Sequence, residues 1–338
     1  MNRLRIFWIL AAAFVWLIVS SFAEIKGIVD LLIRGNAGWI LIAMLLQVVY
    51  YTVFTVMFWF AFKAVEVESQ VKELLPLTFG SQFVNTIAPT WGMGGMALFI
   101  DDLSSRGQSP ARATAGTLLA QISDYISFML VLALSLGYLY IQEELKIYEI
   151  IGAIFMILVL CGLSAAILLG MFRPTLLERM LGLAQSGIRN LACRIRHKPL
   201  LEKNWASQNA KEFINASKAI EVHPRRLART LGTALGAHLI NIASIYAIFL
   251  AYKSPISIGP LVAGYAIGIL FWNISPVPQG IGLVEGVMAI AYSSLGVQGA
   301  TATVVVLAFR GLDFWLPMLI GFFLLRKARL FRQNQELV

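Results

Sequence analysis

Charge is scarce in this chain: 13% of its 338 residues are Asp, Glu, Lys or Arg, about half the share found in soluble domains. Histidine and cysteine are scarcer still, at three and two copies. Cys161 lies in an apolar run and Cys193 in a basic segment, and neither belongs to a CxxC pattern, which excludes a disulfide scaffold. Three scattered histidines offer no metal-ligand spacing, so neither a metal nor any other cofactor is expected. No Ser/His/Asp order, phosphate-binding loop or dinucleotide fingerprint stands out, and no catalytic residue is assigned. What the chain has instead is apolar bulk: 59% hydrophobic residues and a mean hydropathy of +0.77.

That bulk falls in long runs. Stretches 6–22, 39–62, 113–140, 150–172, 231–252 and 300–325 are candidate spans, interrupted only by Asp124, His238, Arg310 and Asp313. Two further stretches, 74–100 and 256–295, are apolar but broken near their middles by Pro and Gly. The expected fold is an all-α polytopic membrane protein: about six spanning helices plus two re-entrant broken-helix hairpins in an inverted repeat, forming one integral membrane domain over 1–338. Run 6–22 also looks like a signal peptide, with Arg3 and Arg5 before it and Ser21-Phe22-Ala23 at its end. Its length, with Trp8 and Trp16, favours an uncleaved helix.

Orientation follows from Lys and Arg, which cytoplasmic loops retain. If both broken stretches are re-entrant, every Lys and Arg except Lys26, Arg34, Lys146, Lys253 and Arg310 falls inside. The chain is then expected in the inner (plasma) membrane with both termini cytoplasmic. Segment 173–230, where Lys and Arg far outnumber Glu, reads as helices lying on the membrane and drawn to anionic lipid headgroups. It is too short and dispersed for nucleic acid. A homo-oligomer is left open.

An internal repeat is visible. Aligning Ser104–Leu130 on Ser293–Leu319, 189 residues on, matches Ser104/Ser293, Gly107/Gly296, Ala111/Ala300, Thr114/Thr303, Leu118/Leu307, Asp124/Asp313 and Met129/Met318 without a gap. The same offset puts Pro89 on Pro278, and small shifts bring Asn85 near Asn273 and Gly92 near Gly280. The repeats cover about 39–140 and 231–325, with segment 173–230 between them.

Pro89 with Gly92, and Pro278 with Gly280 and Gly282, weaken the helix where each stretch breaks. Freed backbone groups at membrane depth are tolerated only where they are buried in protein or line a wet cavity. The alternative is a kinked spanning helix. Intramembrane charges are few: Asp124, Glu285, Arg310 and Asp313, each calling for a partner or a function. Arg310 and Asp313 are three apart and are expected to pair, with Asp124 sharing the guanidinium across the repeat. Glu285 is expected at a half-helix start, where the dipole favours a carboxylate. A structural clamp and a headgroup site remain equal readings. The candidate substrate-binding set is Asn85, Pro89, Gly92, Asp124, Asn273, Pro278, Gly280, Gly282, Glu285, Arg310 and Asp313.

Three stretches carry a resemblance: Gly80-Ser-Gln-Phe-Val-Asn85-Thr-Ile-Ala-Pro89-Thr-Trp-Gly92-Met-Gly-Gly95, Pro276-Val-Pro278-Gln-Gly280-Ile-Gly282-Leu-Val-Glu285, and Arg310-Gly-Leu-Asp-Phe-Trp-Leu-Pro317. They resemble the transmembrane region of lysylphosphatidylglycerol synthases, a flippase-like family, over nearly the whole chain. The resemblance implies translocation of a lipid between leaflets, an aminoacylated phosphatidylglycerol in the type case. It marks Asn85, Pro89, Gly92, Gly280, Gly282, Glu285 and Arg310 as the positions that match. The synthases' soluble aminoacyl-transfer domain has no counterpart in this sequence, so synthase activity is not carried over.

The expected function is therefore a flippase-like carrier of a polar or charged lipid rather than an enzyme. The alternatives are a membrane-embedded transferase acting on lipid-linked or polyprenyl substrates, with Asp101-Asp102 as a divalent-ion site, and a non-transporting scaffold for lipid-synthesis partners.

Overall fold

The computed structural model describes residues 30, 32–87, 93–196 and 205–324. Candidate span 6–22, Pro89, Gly92 and the basic C-terminal cluster lie outside them. Every regular element among the described residues is helical. In chain order these are α1 (Ala37–Ala64), α2 (Val71–Ile87), α3 (Met93–Ser105), α4 (Pro110–Ile141), α5 (Ile147–Phe172), α6 (Pro174–Arg196), α7 (Trp205–Val222), α8 (Pro224–Ala251), α9 (Ile258–Ile274), α10 (Leu283–Ser294) and α11 (Gly299–Leu324). Helices α1, α4, α5, α8 and α11 are long and apolar enough to cross a bilayer.

Local chemistry sets the helix boundaries. Asn36 caps α1, its Oδ1 accepting from the amides of Gly38 and Trp39. Ser109 caps α4 ahead of Pro110, whose missing amide is harmless in the first turn. The two hairpins are short by comparison. Helices α2 and α9 have 17 residues each and α10 has 12. At about 1.5 Å per residue these reach about 26 Å and 18 Å, short of a hydrocarbon core of about 30 Å.

Helix lengths and turns recur. The 28-residue α1 reappears as the 28-residue α8, displaced by 187 positions at both ends, and the start of α2 reappears at the same displacement as the start of α9. The turns recur too: Val67 N donates to Phe62 O as Ser254 N does to Phe249 O, and Gln108 N donates to Leu103 O as Val297 N does to Tyr292 O. Glu66 and Lys253 occupy matching positive-φ positions, at 59° and 56°.

Hydrogen bonds also give the helix directions. Asn36 N, at the start of α1, donates to Ala251 O at the end of α8, while Arg226 Nη1 near the start of α8 donates to Lys63 O at the end of α1. Helices α1 and α8 are therefore antiparallel, and they form the most extensive helix pair in the structure. Hairpin α2–α3 opens where α1 ends, its mouth joined by Arg106 and Glu73 at 2.9 Å. Hairpin α9–α10 opens where α8 ends, at the opposite pole, with the Tyr292 hydroxyl on Leu261 O at 3.2 Å. Gly264 and Gly268 let α9 lie against Tyr292 and Met288 of α10.

Two cores result. One joins Phe58 and Phe62 of α1, Phe99 of α3, Leu119 of α4 and Phe213 of α7; the other joins Phe128 and Leu132 of α4, Phe249 of α8, Tyr265 of α9, Tyr292 of α10 and Phe309 of α11. The expectation that the whole basic segment lies on the membrane is corrected for α7. Its Phe213, Ile214 and Ile220 are buried in the first core, because α4, α5 and α6 supply the apolar surface that lipid was expected to supply. Helix α6 differs, with Leu176, Met180 and Leu183 exposed along one face.

Candidate functional site

A cavity of about 110 Å³ lies between the end of α2, the start of α3, helix α4 and the turn that follows α9. Helix α2 contributes Gln82 and Asn85, α4 contributes Gln121, Asp124 and Tyr125, α9 contributes Trp272 and Asn273, and the 275–282 turn contributes Gln279. A smaller cavity of about 50 Å³ adjoins it, lined by Tyr50, Tyr51, Asn241, Arg310, Asp313 and Phe314 among others. Gln82, Trp272 and Gln279 line both and so form the wall between them.

At the first tip, Asn85 Oδ1 accepts from Gly95 N at 2.7 Å. Gly95 is the third residue of α3, whose opening amides have no partner within the helix. The close approach requires glycine: a Cβ there would lie 2.8 Å from Asn85 Nδ2 and from Ser81 Cβ.

The second tip is built around an ion pair. Glu285 sits in the first turn of α10, as the dipole argument expects. Its Oε1 accepts from Arg310 Nε at 2.7 Å, with Glu285 8% and Arg310 4% exposed. Arg310 Nη2 donates to Gln279 O at 3.0 Å, and the guanidinium lies 4.6 Å from the centre of the Phe314 ring. Glu285 Oε2 is buried without a hydrogen-bond partner among the described residues. Gln279 holds a left-handed backbone at φ 54°, as do Gly280 at 66° and Gly282 at 80°. Its side chain accepts the Trp272 indole N–H at 2.6 Å.

The expected three-way clamp of Arg310, Asp313 and Asp124 is corrected. Arg310 pairs with Glu285. Asp313 Oδ1 accepts from Asn241 Nδ2 at 3.1 Å, and Asn241 Oδ1 in turn accepts from Gln47 Nε2 at 2.8 Å. Asp124 Oδ1 lies 3.3 Å from His238 Nε2, without the alignment of a hydrogen bond, while His238 Nδ1 meets the Tyr265 hydroxyl at 2.9 Å. The cause is a π-helical turn at Gly311–Trp315. Its wider winding takes the residue three after Arg310 off the arginine's face, so α-helical spacing no longer holds. The Tyr51 hydroxyl donates to Asp313 O inside that turn at 2.7 Å.

Of the candidate set, the structure brings Asn85, Asp124 and Asn273 to the larger cavity, and Arg310 and Asp313 to the smaller. Pro278 and Gly280 form the 3₁₀ turn between them and Gly282 caps α10. Asp102 is held by Arg106 at 2.7 Å. Sequence reasoning missed Gln82, Trp272 and Gln279. Two signals were present: Gln82 shares a helical face with Asn85, and Gln279 stands inside the Pro276–Glu285 run.

A polar cavity enclosed by apolar spans, between the end of α2 and the turn that follows α9, defines a multi-pass helical membrane protein with an internal polar site. The family model for the lysylphosphatidylglycerol synthase TM region matches residues 5–321, and the chain belongs to that family. Among similar proteins, a UPF0104 membrane protein of Pyrococcus horikoshii is 26% identical over 93% of this chain and 94% of its own length. Another, of Methanocaldococcus jannaschii, is 21% identical over 90% and 89%.

Proposed function

We propose that this protein is a carrier, not an enzyme, that moves a polar-headed lipid between the leaflets of the cell's inner membrane while the tails stay in the bilayer. The observation that carries this reading is the cavity between the end of α2 and the turn that follows α9, walled by amide, aromatic and carboxylate side chains inside an otherwise apolar bundle. Exposed backbone and buried polar groups at such a place call for a polar occupant or water. Support for re-entrant hairpins comes from the shortness of α9 and α10 and from each pair returning to the pole it entered. Support for an inverted repeat comes from the matching element lengths and the antiparallel α1 and α8. Inverted repeats with interrupted helices near the midplane are a recurring plan of transporters. In this reading both termini and the 173–230 segment are cytoplasmic, with anionic headgroups drawn to the cations of α6.

Passage from one pole to the other requires the wall of Gln82, Trp272 and Gln279 to part. The test is reconstitution of the purified protein into vesicles carrying a headgroup-labelled lipid in one leaflet, with chemical quenching of the outer leaflet as readout. Protein-dependent exchange that is lost in Arg310→Gln is the expected result. Vesicles in which no lipid exchanges faster than in protein-free controls would overturn the carrier reading.

A further inference from the structure

We propose that Asp124 and His238 form a proton-binding site on the wall of the larger cavity, and that this proton is exchanged for the headgroup during transport; this rests on the carrier reading and names its energy source. The pair is buried, with the His238 side chain 8% and the Asp124 side chain 16% exposed. Asp124 lines the larger cavity, and His238 stands behind it on α8, outside that lining. The histidine is fixed at one nitrogen and open at the other. Nδ1 meets the Tyr265 hydroxyl at 2.9 Å, whereas Nε2 lies 3.3 Å from Asp124 Oδ1 with no hydrogen-bond partner among the described residues. A buried polar atom left in that position calls for an explanation, and a proton supplies one. With the proton, an imidazolium faces the carboxylate and the pair carries no net charge. Without it, a lone carboxylate faces the cavity.

The other repeat shows the same place built from groups that do not titrate. The displacement of 187 positions that carries α1 onto α8 matches Tyr51 to His238 and Phe54 to Asn241. Asp313, the repeat counterpart of Asp124, has the Tyr51 hydroxyl on its carbonyl and the Asn241 amide on its carboxylate. Asp124 has His238 in place of the phenol, and Phe54, which also lines the larger cavity, in place of the amide. Gln121 likewise stands where the second repeat has Arg310. No Lys or Arg is among the described residues that line the larger cavity. The other ionisable groups near the pair are Tyr50 on α1, Tyr125 on α4, Tyr265 on α9 and Asp313 on α11. Arg310 is committed to Glu285. Other acids of α2, α3, α5 and α7 are held elsewhere: Glu73 and Asp102 by Arg106, Glu149 by the Lys146 amide, and Glu212 by Arg112. Among these side-chain types an imidazole is the one that ordinarily changes charge between about pH 5 and 8.

Two features couple that proton to the headgroup. Asp124 belongs to the first repeat and His238 to the second, so moving one repeat against the other opens or closes the pair. Any headgroup donor that bonds Asp124 also competes with the proton for the same carboxylate, so binding of one favours release of the other. The balance is one proton taken up by the pair on one side as the headgroup leaves, and one released on the other side as the next headgroup enters. Lipid therefore moves towards the acidic side.

The site and the coupling are tested separately. The purified full chain, labelled with ¹⁵N-histidine, carries three histidines, and the NMR signal lost in His238→Gln belongs to the pair. Should that variant fail to fold, His197→Gln with His223→Gln leaves the same signal alone. It should pass from neutral to charged between about pH 9 and pH 5. In Asp124→Asn it should need at least tenfold more acid, because the carboxylate that steadies the imidazolium is gone. A His238 that keeps one charge state throughout, or that titrates alike with and without Asp124, overturns the proposal whatever the lipids do. For the coupling, the protein is placed in phosphatidylcholine vesicles with acyl-labelled phosphatidylglycerol, phosphatidylethanolamine, lysylphosphatidylglycerol or monoglucosyl diacylglycerol, each in turn. A difference of about one pH unit is imposed and the membrane potential is clamped. An exchanged lipid should gather in the leaflet on the acidic side, up to about tenfold for one proton per lipid, and Asp124→Asn and His238→Gln should each abolish the accumulation. Exchange that leaves the two leaflets equal in the wild type overturns the proposal and leaves the carrier standing. Titration of His238 without exchange of any of the four lipids sinks the carrier and the coupling, and leaves the proton site standing on its own signal.

Discussion

The two hairpins share a plan and differ at their tips. Helices α2 and α9 start at matching positions, and α3 and α10 return beside them, yet a neutral amide ties α2 to α3 whereas an ion pair holds α10 to α11. Asn85 serves one helix-end amide beside the larger cavity. Arg310 and Glu285 stand behind the wall, nearly excluded from solvent. The difference shows how one architecture supports two duties. The neutral bond brings no fixed positive charge to the described lining of the larger cavity, while a buried ion pair is firm only as long as both partners are present.

Breaking the charged tip should have the largest effect. Arg310→Gln strands the Glu285 carboxylate in a buried site, and the expected loss is about 3–5 kcal/mol, read as a fall in the melting temperature of the purified protein. Adding Glu285→Gln should recover much of it, because no uncompensated charge then remains. Adding Asp313→Asn should recover none, since Asp313 is bonded to Asn241 rather than to Arg310. Recovery with Asp313→Asn and not with Glu285→Gln would reinstate the pairing that α-helical spacing suggests.

That reversal marks where the sequence stops being legible. The spans α1, α4, α5, α8 and α11 and the break at 276–282 could be read because each rests on composition: apolar length for the spans, and Pro with Gly for the break. Glu285 at the start of α10 was legible for the same reason. The partner of Arg310 was not, because it depends on a π turn, and Gly311-Leu-Asp-Phe-Trp315 carries no local signal that separates five-residue winding from four. The burial of α7 was hidden differently. An amphipathic helix shows that it has an apolar face and says nothing of whether lipid or protein covers it. Gln82 and Gln279 escaped because a lone glutamine is ordinary, and only the approach of α2 to the turn after α9 makes a wall of them.

The second largest effect should come from the glycines of the charged tip. Gly280 and Gly282 both hold positive φ, and an alanine there is strained by about 1–2 kcal/mol. The surroundings then separate them. A Cβ on Gly280 would press on Val284, whereas one on Gly282 would meet nothing within 4 Å. Melting temperatures should therefore fall further for Gly280→Ala than for Gly282→Ala. Equal falls would mean that backbone conformation alone, and not the packing of the turn on α10, holds this tip.

At the neutral tip the expected loss is smaller. Asn85→Ala removes one hydrogen bond to Gly95 N, worth about 1 kcal/mol. Asn85→Asp keeps the acceptor but adds a second carboxylate to the cavity that holds Asp124, so it should restore that stability only when it takes up a proton. If Asn85→Ala destabilises as much as Arg310→Gln, the two tips are not differently built after all.

A comparably small effect on stability should come from the wall between the cavities. Trp272→Phe keeps an aromatic ring beside the larger cavity and removes the indole N–H that Gln279 Oε1 accepts at 2.6 Å, together with part of the ring's bulk. A neutral hydrogen bond of this kind contributes about 0.5–1.5 kcal/mol, so the melting temperature should move little. The exchange rate should move more. Gln279 is held at three points: a left-handed backbone, its carbonyl on Arg310, and its side chain on Trp272. Releasing the third frees the side chain that closes the wall while leaving the ion pair intact. Trp272→Phe should therefore raise the rate of leaflet exchange at nearly unchanged stability, the opposite signature to Arg310→Gln, which should lower both. A Trp272→Phe protein that melts like the wild type but has lost exchange would mean that the indole N–H acts on the passing headgroup and not on the wall.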